Sequence, residues 1–195
     1  MQRPADLDDR LKQVEDEYWK IKYPFLIVDE ARRAAGKAGD SEMVYGTTPP
    51  AVVLELLELA EVKPDDVFYD LGCGLGVPTV VAALLCKKSV GIEILADVAR
   101  QAQGVADALS LANASFHVAD FKSADVSDGT LIYCYSTCLR AQSRAELAER
   151  VAQTQPGTRI LTVTHDLEHP ALELKQTREM SWEESHRTVY LHVRK

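Results

Sequence analysis

Cysteine is scarce in this sequence, and its spacing disfavours two classes of site. Only four cysteines occur among the 195 residues, and no two of them form a CxxC pair; they are Cys73, Cys86, Cys134 and Cys138. Paired CxxC spacing is typical of structural zinc sites, and dense cysteine patterns are typical of disulfide scaffolds. Cys134 and Cys138 lie in an apolar run, where buried thiols are expected. We therefore expect no metal site and no disulfide framework.

Long apolar runs and an excess of positive charge are also lacking. No apolar stretch approaches the roughly 18 residues that a membrane-spanning helix needs. The opening segment MQRPADLDDR is polar and acidic, unlike a secretory signal. The formal net charge is −8, which disfavours general attraction to nucleic acid or to an anionic membrane. The sequence thus predicts a soluble, cytoplasmic protein, and it leaves the oligomeric state open.

What the chain does contain is a regular alternation of strand and helix patterns. Apolar residues at helical spacing predict helices at 5–35 with a break at Pro24, at 50–60 with Thr48 as the cap, and at 77–85, 96–109 and 141–152. Short apolar runs predict strands at 67–70, 89–92, 115–118, 130–135 and 158–164. Segments 172–180 and 187–193 alternate apolar with polar residues and have no helix between them. This order predicts an α/β fold: a doubly wound, Rossmann-like, mostly parallel sheet with a C-terminal antiparallel hairpin and an N-terminal helical extension.

The segment YDLGCGLG, residues 69–76, ends a predicted strand on a carboxylate and continues with spaced glycines. The spacing is GxGxG, whereas a dinucleotide fingerprint, GxGxxG, would need glycine where this chain has Val77. Asp70 at the strand end would also repel a pyrophosphate bound at the helix N-terminus. A ligand that presents a cation there is favoured instead. S-adenosylmethionine (SAM) is such a ligand, with an ammonium, a sulfonium and no phosphate.

Acidic residues also follow the next two strands. Glu93 closes VGIE and is placed to accept hydrogen bonds from both ribose hydroxyls, although this feature suits NAD equally well. Asp120 is placed to accept from the adenine amino group, and Phe121 to cover the adenine ring. Each feature alone has an ordinary alternative, namely a tight turn, a helix cap or a loop carboxylate. Because all three lie at the carboxyl edge of one parallel sheet, where such sheets bind ligands, we predict a SAM site and disfavour an NAD site.

These segments resemble a known family. YDLGCGLG followed by VGIE is similar to motifs I and II of the class I SAM-dependent methyltransferases. VYGTTP at 44–49 resembles the VYGETS segment of the non-SET histone lysine methyltransferases, the disruptor-of-telomeric-silencing type. SW at 181–182 and TVYLH at 188–192 resemble the SW and SYYLH of that family's closing strands. The chain is also similar to small archaeal and mitochondrial lysine methyltransferases. The resemblance implies a SAM-dependent methyltransferase domain at 43–195, preceded by a helical extension at 1–42.

The resemblance also implies a set of cofactor-binding residues. Tyr45 and Thr48 are expected to fold over the methionine part of SAM, with Thr47 and Tyr135 beside it. The remaining cofactor-binding residues that we expect are Asp70, Gly72, Cys73, Gly74, Glu93, Ile94, Asp120 and Phe121. S-adenosylhomocysteine (SAH) would be the product.

The chain departs from the histone enzymes in three ways. Thr47 replaces their Glu, Tyr135-Ser136-Thr137 replaces their NNF, and their basic nucleosome-binding extension is missing. These departures leave the prediction of SAM intact and argue against a histone as the acceptor.

The chemistry of methyl transfer suggests which residues face the acceptor. The donor is already activated, so the protein mainly has to align the acceptor lone pair and exclude water. A lysine acceptor must first lose a proton, and an apolar aromatic channel favours that loss. We expect Tyr135 and Tyr45 to wall such a channel and Ser136 to bond the acceptor group. Packing of Tyr135 on the sheet edge is the alternative, and Trp182 is expected in the hairpin core.

The sequence therefore predicts a SAM-dependent methyltransferase that acts on a protein lysine. No lid follows the fourth or fifth strand, which favours a macromolecular acceptor, and the [DNS]PP[YF] motif of nucleic-acid amino methyltransferases is lacking. A small-molecule methyltransferase and a SAM-binding protein without catalysis stay open as functions. A nicotinamide-dependent oxidoreductase is a third, weaker alternative.

Overall fold

A mixed sheet of seven strands organises the protein. The structure is a computed structural model that describes residues 3–195. The strands are Val67–Leu71 (β1), Lys88–Glu93 (β2), Ala114–Val118 (β3), Leu131–Cys134 (β4), Arg159–Val163 (β5), Leu172–Trp182 (β6) and Ser185–Arg194 (β7). The helices are Leu7–Trp19 (α1), Pro24–Ala34 (α2), Pro50–Leu59 (α3), Val77–Ala83 (α4), Ala96–Ala108 (α5) and Ala141–Val151 (α6), with short 3-10 turns at Ser41–Met43 and Ser136–Cys138.

The strand order is β3-β2-β1-β4-β5-β7-β6. The first five strands run parallel to their neighbours, whereas β7 is antiparallel to β5 and β6 is antiparallel to β7. The chain order therefore reverses beside β1, and a crevice forms at the carboxyl ends of the strands where such a reversal occurs. The predicted doubly wound sheet with a terminal antiparallel hairpin is confirmed.

Both faces of the sheet are buried along the central parallel strands β1, β2, β4 and β5. Successive residues of a strand point to opposite faces. Phe68 packs into a core formed with α1, α3 and α4, while its neighbour Tyr69 packs into a second core formed with α6. Because helices cover both faces of these central strands, their ends and the loops that follow them are the parts that remain accessible for ligand binding.

The N-terminal helices belong to one of these layers. Leu7 and Val14 of α1 are buried, and α1 packs against α3, α4 and α5. The Tyr18 hydroxyl donates a hydrogen bond to the Leu75 carbonyl at 2.9 Å, which ties α1 to the glycine-rich loop. The predicted break at Pro24 is confirmed, since α2 begins there. The division between residues 42 and 43 stays a prediction.

One predicted cap is wrong. Helix α3 begins at Pro50, so Pro49 occupies the N-cap position and no side chain caps the helix. Thr48 lies one residue too early to cap it. Its buried hydroxyl instead lies 3.4 Å from the Tyr133 hydroxyl, which turns Thr48 toward the sheet.

A buried ion pair holds the amino-terminal edge of the sheet, away from the carboxyl ends. Asp66 pairs with Arg159, and both side chains are largely buried. Asp66 also accepts hydrogen bonds from the Thr130 hydroxyl at 2.7 Å and from the Lys63 N–H at 2.6 Å. These contacts join the starts of β1, β4 and β5. No helix of the described residues is both long and apolar enough to cross a bilayer.

Candidate active site

Two adjoining cavities lie at the carboxyl ends of β1, β2 and β4. The larger has a volume of about 330 Å³ and the smaller about 30 Å³. Both are bordered by Tyr45, Gly46, Gly72, Cys73 and Tyr135. The shared residues form the junction between the cavities.

The glycine-rich loop after β1 can be built only from glycine at two positions. Gly74 and Gly76 have left-handed backbones, with φ of +53° and +85°. A Cβ on Gly74 would come within 2.9 Å of the Tyr45 ring, and one on Gly76 within 2.5 Å of the Phe116 ring. Gly74 therefore allows Tyr45 to pack directly on the loop, and Gly76 is the N-cap residue of α4.

Asp70 lies near the end of β1 as a buried carboxylate that borders the smaller cavity. It is 1% exposed, and its Oδ2 accepts a hydrogen bond from the Thr79 hydroxyl at 3.0 Å. Burial raises the pKa of Asp70 to about 7. No Lys, Arg or His of the described residues forms an ion pair with it. A ligand cation at this position would favour the ionised carboxylate.

Glu93 ends β2 and fixes the loops on either side of the larger cavity. Its Oε2 accepts from the Gly74 N–H at 2.9 Å and its Oε1 from the Leu95 N–H at 2.8 Å. Burial raises the pKa of Glu93, and these two backbone hydrogen bonds oppose the rise. Each carboxylate oxygen can accept more than one hydrogen bond, so Glu93 can still receive ligand hydroxyls.

The opposite wall of the larger cavity contains Ile94, Asp120 and Phe121. Asp120 follows β3, and its Oδ1 accepts from the Lys122 N–H at 2.9 Å. This hydrogen bond turns the chain so that Asp120 and Phe121 both border the cavity. The polar and aromatic pair is suited to an adenine ring.

The loop that carries Tyr45, Thr47 and Thr48 closes the smaller cavity, and the C-terminal hairpin holds it. The Thr47 hydroxyl donates to Glu183 Oε1 at 3.0 Å, and the Trp182 indole N–H donates to the Thr47 carbonyl at 3.2 Å. Burial, with a smaller contribution from Glu183, raises the pKa of the Tyr45 hydroxyl. Tyr45 therefore stays protonated at neutral pH and cannot act as a base.

Tyr135 stands at the junction, directly after β4. A Cβ on Gly46 would lie 3.4 Å from its ring. Its ring meets Trp182 edge-on, with 6.3 Å between ring centroids, and its hydroxyl accepts a hydrogen bond from Arg187 Nε at 2.6 Å. The hairpin thus fixes Tyr135 as well as the Tyr45 loop.

The structure brings most of the predicted residues together. The larger cavity is bordered by Tyr45, Gly72, Cys73, Gly74, Glu93, Ile94, Asp120, Phe121 and Tyr135, and the smaller one also by Thr47, Thr48 and Asp70. Their functional roles stay predictions.

Ser136 is the exception, and its predicted contact with the acceptor is corrected. Its side chain is fully buried, and its hydroxyl donates to the Val163 carbonyl at 2.6 Å. The short 3-10 turn after Tyr135 directs Ser136 into the sheet rather than toward either cavity.

Sequence reasoning missed two groups of residues at this site. Trp182 is buried in the core, as predicted, but its contacts with Thr47 and Tyr135 were not foreseen. These contacts, and that of Arg187 with Tyr135, come from a hairpin that is far away in sequence, so no local pattern indicates them. The N-terminal segment contributes Val28 and Glu42 to the larger cavity. Glu42 accepts from the Arg140 N–H at 2.6 Å and from the Ser143 hydroxyl at 2.9 Å, which closes one side of the cavity against α6.

The described part of the chain contains no cluster of His, Cys, Asp and Glu side chains that could hold a metal ion. Burial also raises the pKa of Cys73, well above its usual value. Cys73, which borders both cavities, is therefore a protonated, weakly reactive thiol.

The sheet order and the cavity at its carboxyl edge define a class I SAM-dependent methyltransferase. An RNA methyltransferase from Salinibacter ruber, solved with S-adenosylhomocysteine, superposes with a TM-score of 0.64 at 32% identity, over 76% of this chain and 93% of that one. The chain belongs to the family described as "Histone methylation protein DOT1", which matches residues 23–194.

Two curated relatives are lysine methyltransferases. A protein-lysine N-methyltransferase from Saccharolobus islandicus is 33% identical over 157 residues, which are 76% of this chain and 92% of that protein. A histone-lysine N-methyltransferase, H3 lysine-79 specific, from Dictyostelium discoideum is 26% identical over 139 residues, 63% of this chain but 8% of that protein. The cofactor of this chain is S-adenosylmethionine, and the residues at the cavity fit it: a buried carboxylate without a cation partner in the described structure, a glycine loop and an acidic residue after each of two further strands.

Proposed function

We propose that this chain transfers a methyl group from SAM to the side-chain amine of a protein lysine. The observation that carries the proposal is the junction of the two cavities, where Tyr45 and Tyr135 face the same space. Aromatic walls suit an amine acceptor, because they disfavour the ammonium by desolvation and can hold a methylated cation on their faces. The curated relative from Saccharolobus islandicus supports the same acceptor class.

The cavity shapes suggest how the cofactor is held. The larger cavity would receive the adenosyl part, with Glu93 accepting from the ribose hydroxyls and Asp120 from the adenine amino group. The smaller cavity would receive the ammonium of the methionine part beside Asp70. The junction at Tyr135 is then the place where the acceptor meets the reactive methyl group, which SAM supplies in activated form.

The residues at the junction would act by orientation and by exclusion of water. Tyr45 and Tyr135 confine the lysine side chain so that its nitrogen lies in line with the methyl group. A neutral amine is required because an ammonium has no lone pair. Since Tyr45 is protonated, neither it nor the buried Cys73 can remove the proton, which would leave to solvent before the lysine enters.

An RNA acceptor is the second candidate, and one observation favours it. The Salinibacter ruber protein, described as an RNA methyltransferase, is 32% identical to this chain. Against RNA stands the net charge of −8, because most of the affinity of RNA-binding proteins comes from Lys and Arg contacts to phosphate. A small-molecule acceptor and SAM binding without catalysis are two further alternatives to a lysine acceptor, and the same labelling experiment tests them.

Distribution of label among acceptor classes tests the proposal. The purified chain would be incubated with methyl-labelled SAM and a fractionated extract of its source cells, with Glu93→Ala as the transfer-deficient control. We expect the label to be in macromolecules that protease degrades and ribonuclease does not. The Glu93→Ala variant should transfer no label. Label released by ribonuclease would overturn the proposal in favour of RNA, and label confined to small molecules would overturn it in favour of a metabolite acceptor. SAM binding with no label in any fraction would favour a non-catalytic protein.

A further inference from the structure

Arg187 of β7 contacts Tyr135, the residue at the junction of the two cavities. Its Nε donates to the Tyr135 hydroxyl at 2.6 Å, and its Nη1 donates to the Trp182 carbonyl at 2.7 Å and to the Ser185 carbonyl at 3.2 Å. Its Cζ lies 4.4 Å from the centroid of the Trp182 ring and 5.9 Å from that of the Tyr135 ring. These hydrogen bonds and ring contacts together hold the guanidinium in place.

None of these contacts neutralises the charge. Among the described residues, no carboxylate lies within ion-pair distance of Arg187. Aromatic faces and carbonyl oxygens stabilise a guanidinium but leave its positive charge intact. The Arg187 guanidinium is thus a fixed positive charge in contact with Tyr135, and it has no carboxylate partner in the described structure.

We infer that Arg187 is a positioning residue for the acceptor: it fixes the Tyr135 hydroxyl and supplies a positive charge that favours entry of the lysine as a neutral amine. This inference rests on the proposed lysine methyltransferase function. A nearby like charge destabilises an ammonium and lowers its proton affinity. The hydrogen bond from Arg187 Nε also occupies an acceptor site on the Tyr135 oxygen that an ammonium would otherwise use.

The reaction balances without any further reagent. The lysine ammonium gives one proton to solvent before transfer. The amine lone pair then forms the nitrogen–carbon bond while the sulfur–carbon bond breaks, and that bonding pair stays on sulfur. The product is a methylated ammonium and a neutral thioether. Arg187 keeps its own protons throughout.

Three of the other charged and titratable groups around Arg187 have hydrogen-bond partners of their own. Glu179 of β6 accepts from the Thr188 hydroxyl at 2.8 Å, and His186 of β7 lies 2.7 Å from the Ser181 hydroxyl. Glu183 in the turn accepts from Thr47, on the Tyr45 side of the junction. Glu184 follows it at the exposed tip of the turn.

The pH dependence of transfer separates this role from a merely structural one. The variants are Arg187→Gln, which removes the charge, and Arg187→Lys, which retains it. Arg178→Gln serves as the matched control, because Arg178 is an exposed arginine on the neighbouring strand β6. For each, kcat at a saturating concentration of a lysine-containing protein acceptor would be measured from pH 6 to pH 10, because the pH profile of kcat reports ionisation in the bound complex. SAH affinity by calorimetry and the thermal midpoint would be measured as well.

For Arg187→Gln we expect kcat to fall about tenfold at pH 7.5 and to recover toward the wild-type value at pH 10, since a change of one pH unit in the ionisation of the bound amine is a tenfold change in free amine. SAH affinity should stay within about threefold, because the side-chain hydrogen bonds of Arg187 reach none of the carboxylates that would hold the cofactor, which are Asp70, Glu93 and Asp120. Arg187→Lys should restore much of the wild-type profile, and Arg178→Gln should match wild type.

A loss of equal size at every pH, or an unchanged profile, would overturn the inference while leaving lysine methylation intact. Failure of Arg187→Lys to restore any of the profile would also overturn the role of the charge. If the wild-type chain labels no lysine at all, the proposed function fails, and the inference fails with it. The thermal midpoint identifies any variant that loses activity by unfolding.

Discussion

The Thr79 hydroxyl donates a hydrogen bond to Asp70 Oδ2 at 3.0 Å, across the loop that joins β1 to α4. This contact orients the buried carboxylate at the start of the glycine-rich loop. It leaves the charge of Asp70 uncompensated, since a neutral hydroxyl is the partner. The carboxylate is therefore arranged for a cation that the described part of the protein does not itself supply.

Cofactor affinity should depend on the ionisation of Asp70. Its pKa of about 7 in the free protein means that lowering the pH from 8 to 6 protonates it. SAH, which carries the same ammonium, should then bind about tenfold more weakly at pH 6 than at pH 8. Calorimetric titration at several pH values measures this. Asp70→Asn should bind weakly at all pH values, and a flat profile for the wild-type chain would contradict the role of Asp70.

The same carboxylate should destabilise the ligand-free protein. Its folded pKa lies above its ordinary value of 3.8, so the folded state binds more protons than the unfolded state between about pH 4 and pH 7, and this contribution to stability falls as the pH rises. Asp70→Asn can still accept the Thr79 hydrogen bond. We expect it to stabilise the free protein at pH 8 by about 1–2 kcal/mol, as measured by urea unfolding. Destabilisation at pH 8 would count against this assignment.

Glu93 should matter for both the loop and the ligand. Glu93→Gln keeps the shape but replaces one acceptor oxygen with a donor, so one of the N–H groups of Gly74 and Leu95 loses its partner. We expect SAH affinity to fall about 10- to 100-fold, from a loss of about 1–3 kcal/mol. Asp97→Asn is the control, because Asp97 is exposed and pairs with Arg100 on the surface of α5. Equal affinities for the two variants would remove Glu93 from the cofactor site.

Tyr135 should affect turnover more than cofactor binding. Tyr135→Ala removes one wall of the junction, so the acceptor nitrogen loses its alignment. We expect kcat to fall at least about tenfold, with SAH affinity within about threefold, because alignment contributes to the chemical step. Single-turnover kinetics and calorimetry separate the two quantities. Unchanged turnover would mean that Tyr135 only packs against Trp182 and the sheet edge.

The ion pair between Asp66 and Arg159 should contribute to stability alone. Asp66→Asn leaves Arg159 without its buried carboxylate, and such a loss costs about 3–5 kcal/mol. Urea unfolding should show this loss, while kcat and SAH affinity of the folded fraction stay unchanged. A change in kcat or in SAH affinity at 25 °C would mean that the amino-terminal edge of the sheet is coupled to the site at the carboxyl ends of the strands.

Much of the fold could be predicted because its signals are local. Each parallel strand is a short apolar run between helical patterns, and the hairpin is predicted by the two segments at 172–180 and 187–193 that have no helix between them. The placement of carboxylates at the carboxyl ends of β1, β2 and β3 follows from chain order, since parallel strands place these ends at one edge of the sheet. Asp70, Glu93 and Asp120 can therefore be recognised without knowledge of their contacts.

The contacts that complete the site were not predictable in the same way. Trp182 and Glu183 reach Thr47 across more than a hundred residues of chain, and Arg187 reaches Tyr135 from the adjacent antiparallel pair. Ser136 follows Tyr135 directly, yet the turn after β4 sends its hydroxyl to Val163. After β4 ends, the alternation of side chains along a strand no longer applies. Whether Tyr135 or Ser136 faces the cavity therefore depends on the backbone geometry of the turn.

Chemical identification of the methylated residue tests the central claim most directly. Acceptor protein labelled by the wild-type chain would be hydrolysed to amino acids, and the labelled derivative would be identified by chromatography and mass spectrometry. We predict label in Nζ-methylated lysine, with none when the Glu93→Ala variant replaces the wild-type chain. Label in methylated arginine, histidine or a carboxyl ester, or label that belongs to a nucleotide, would contradict the proposed function.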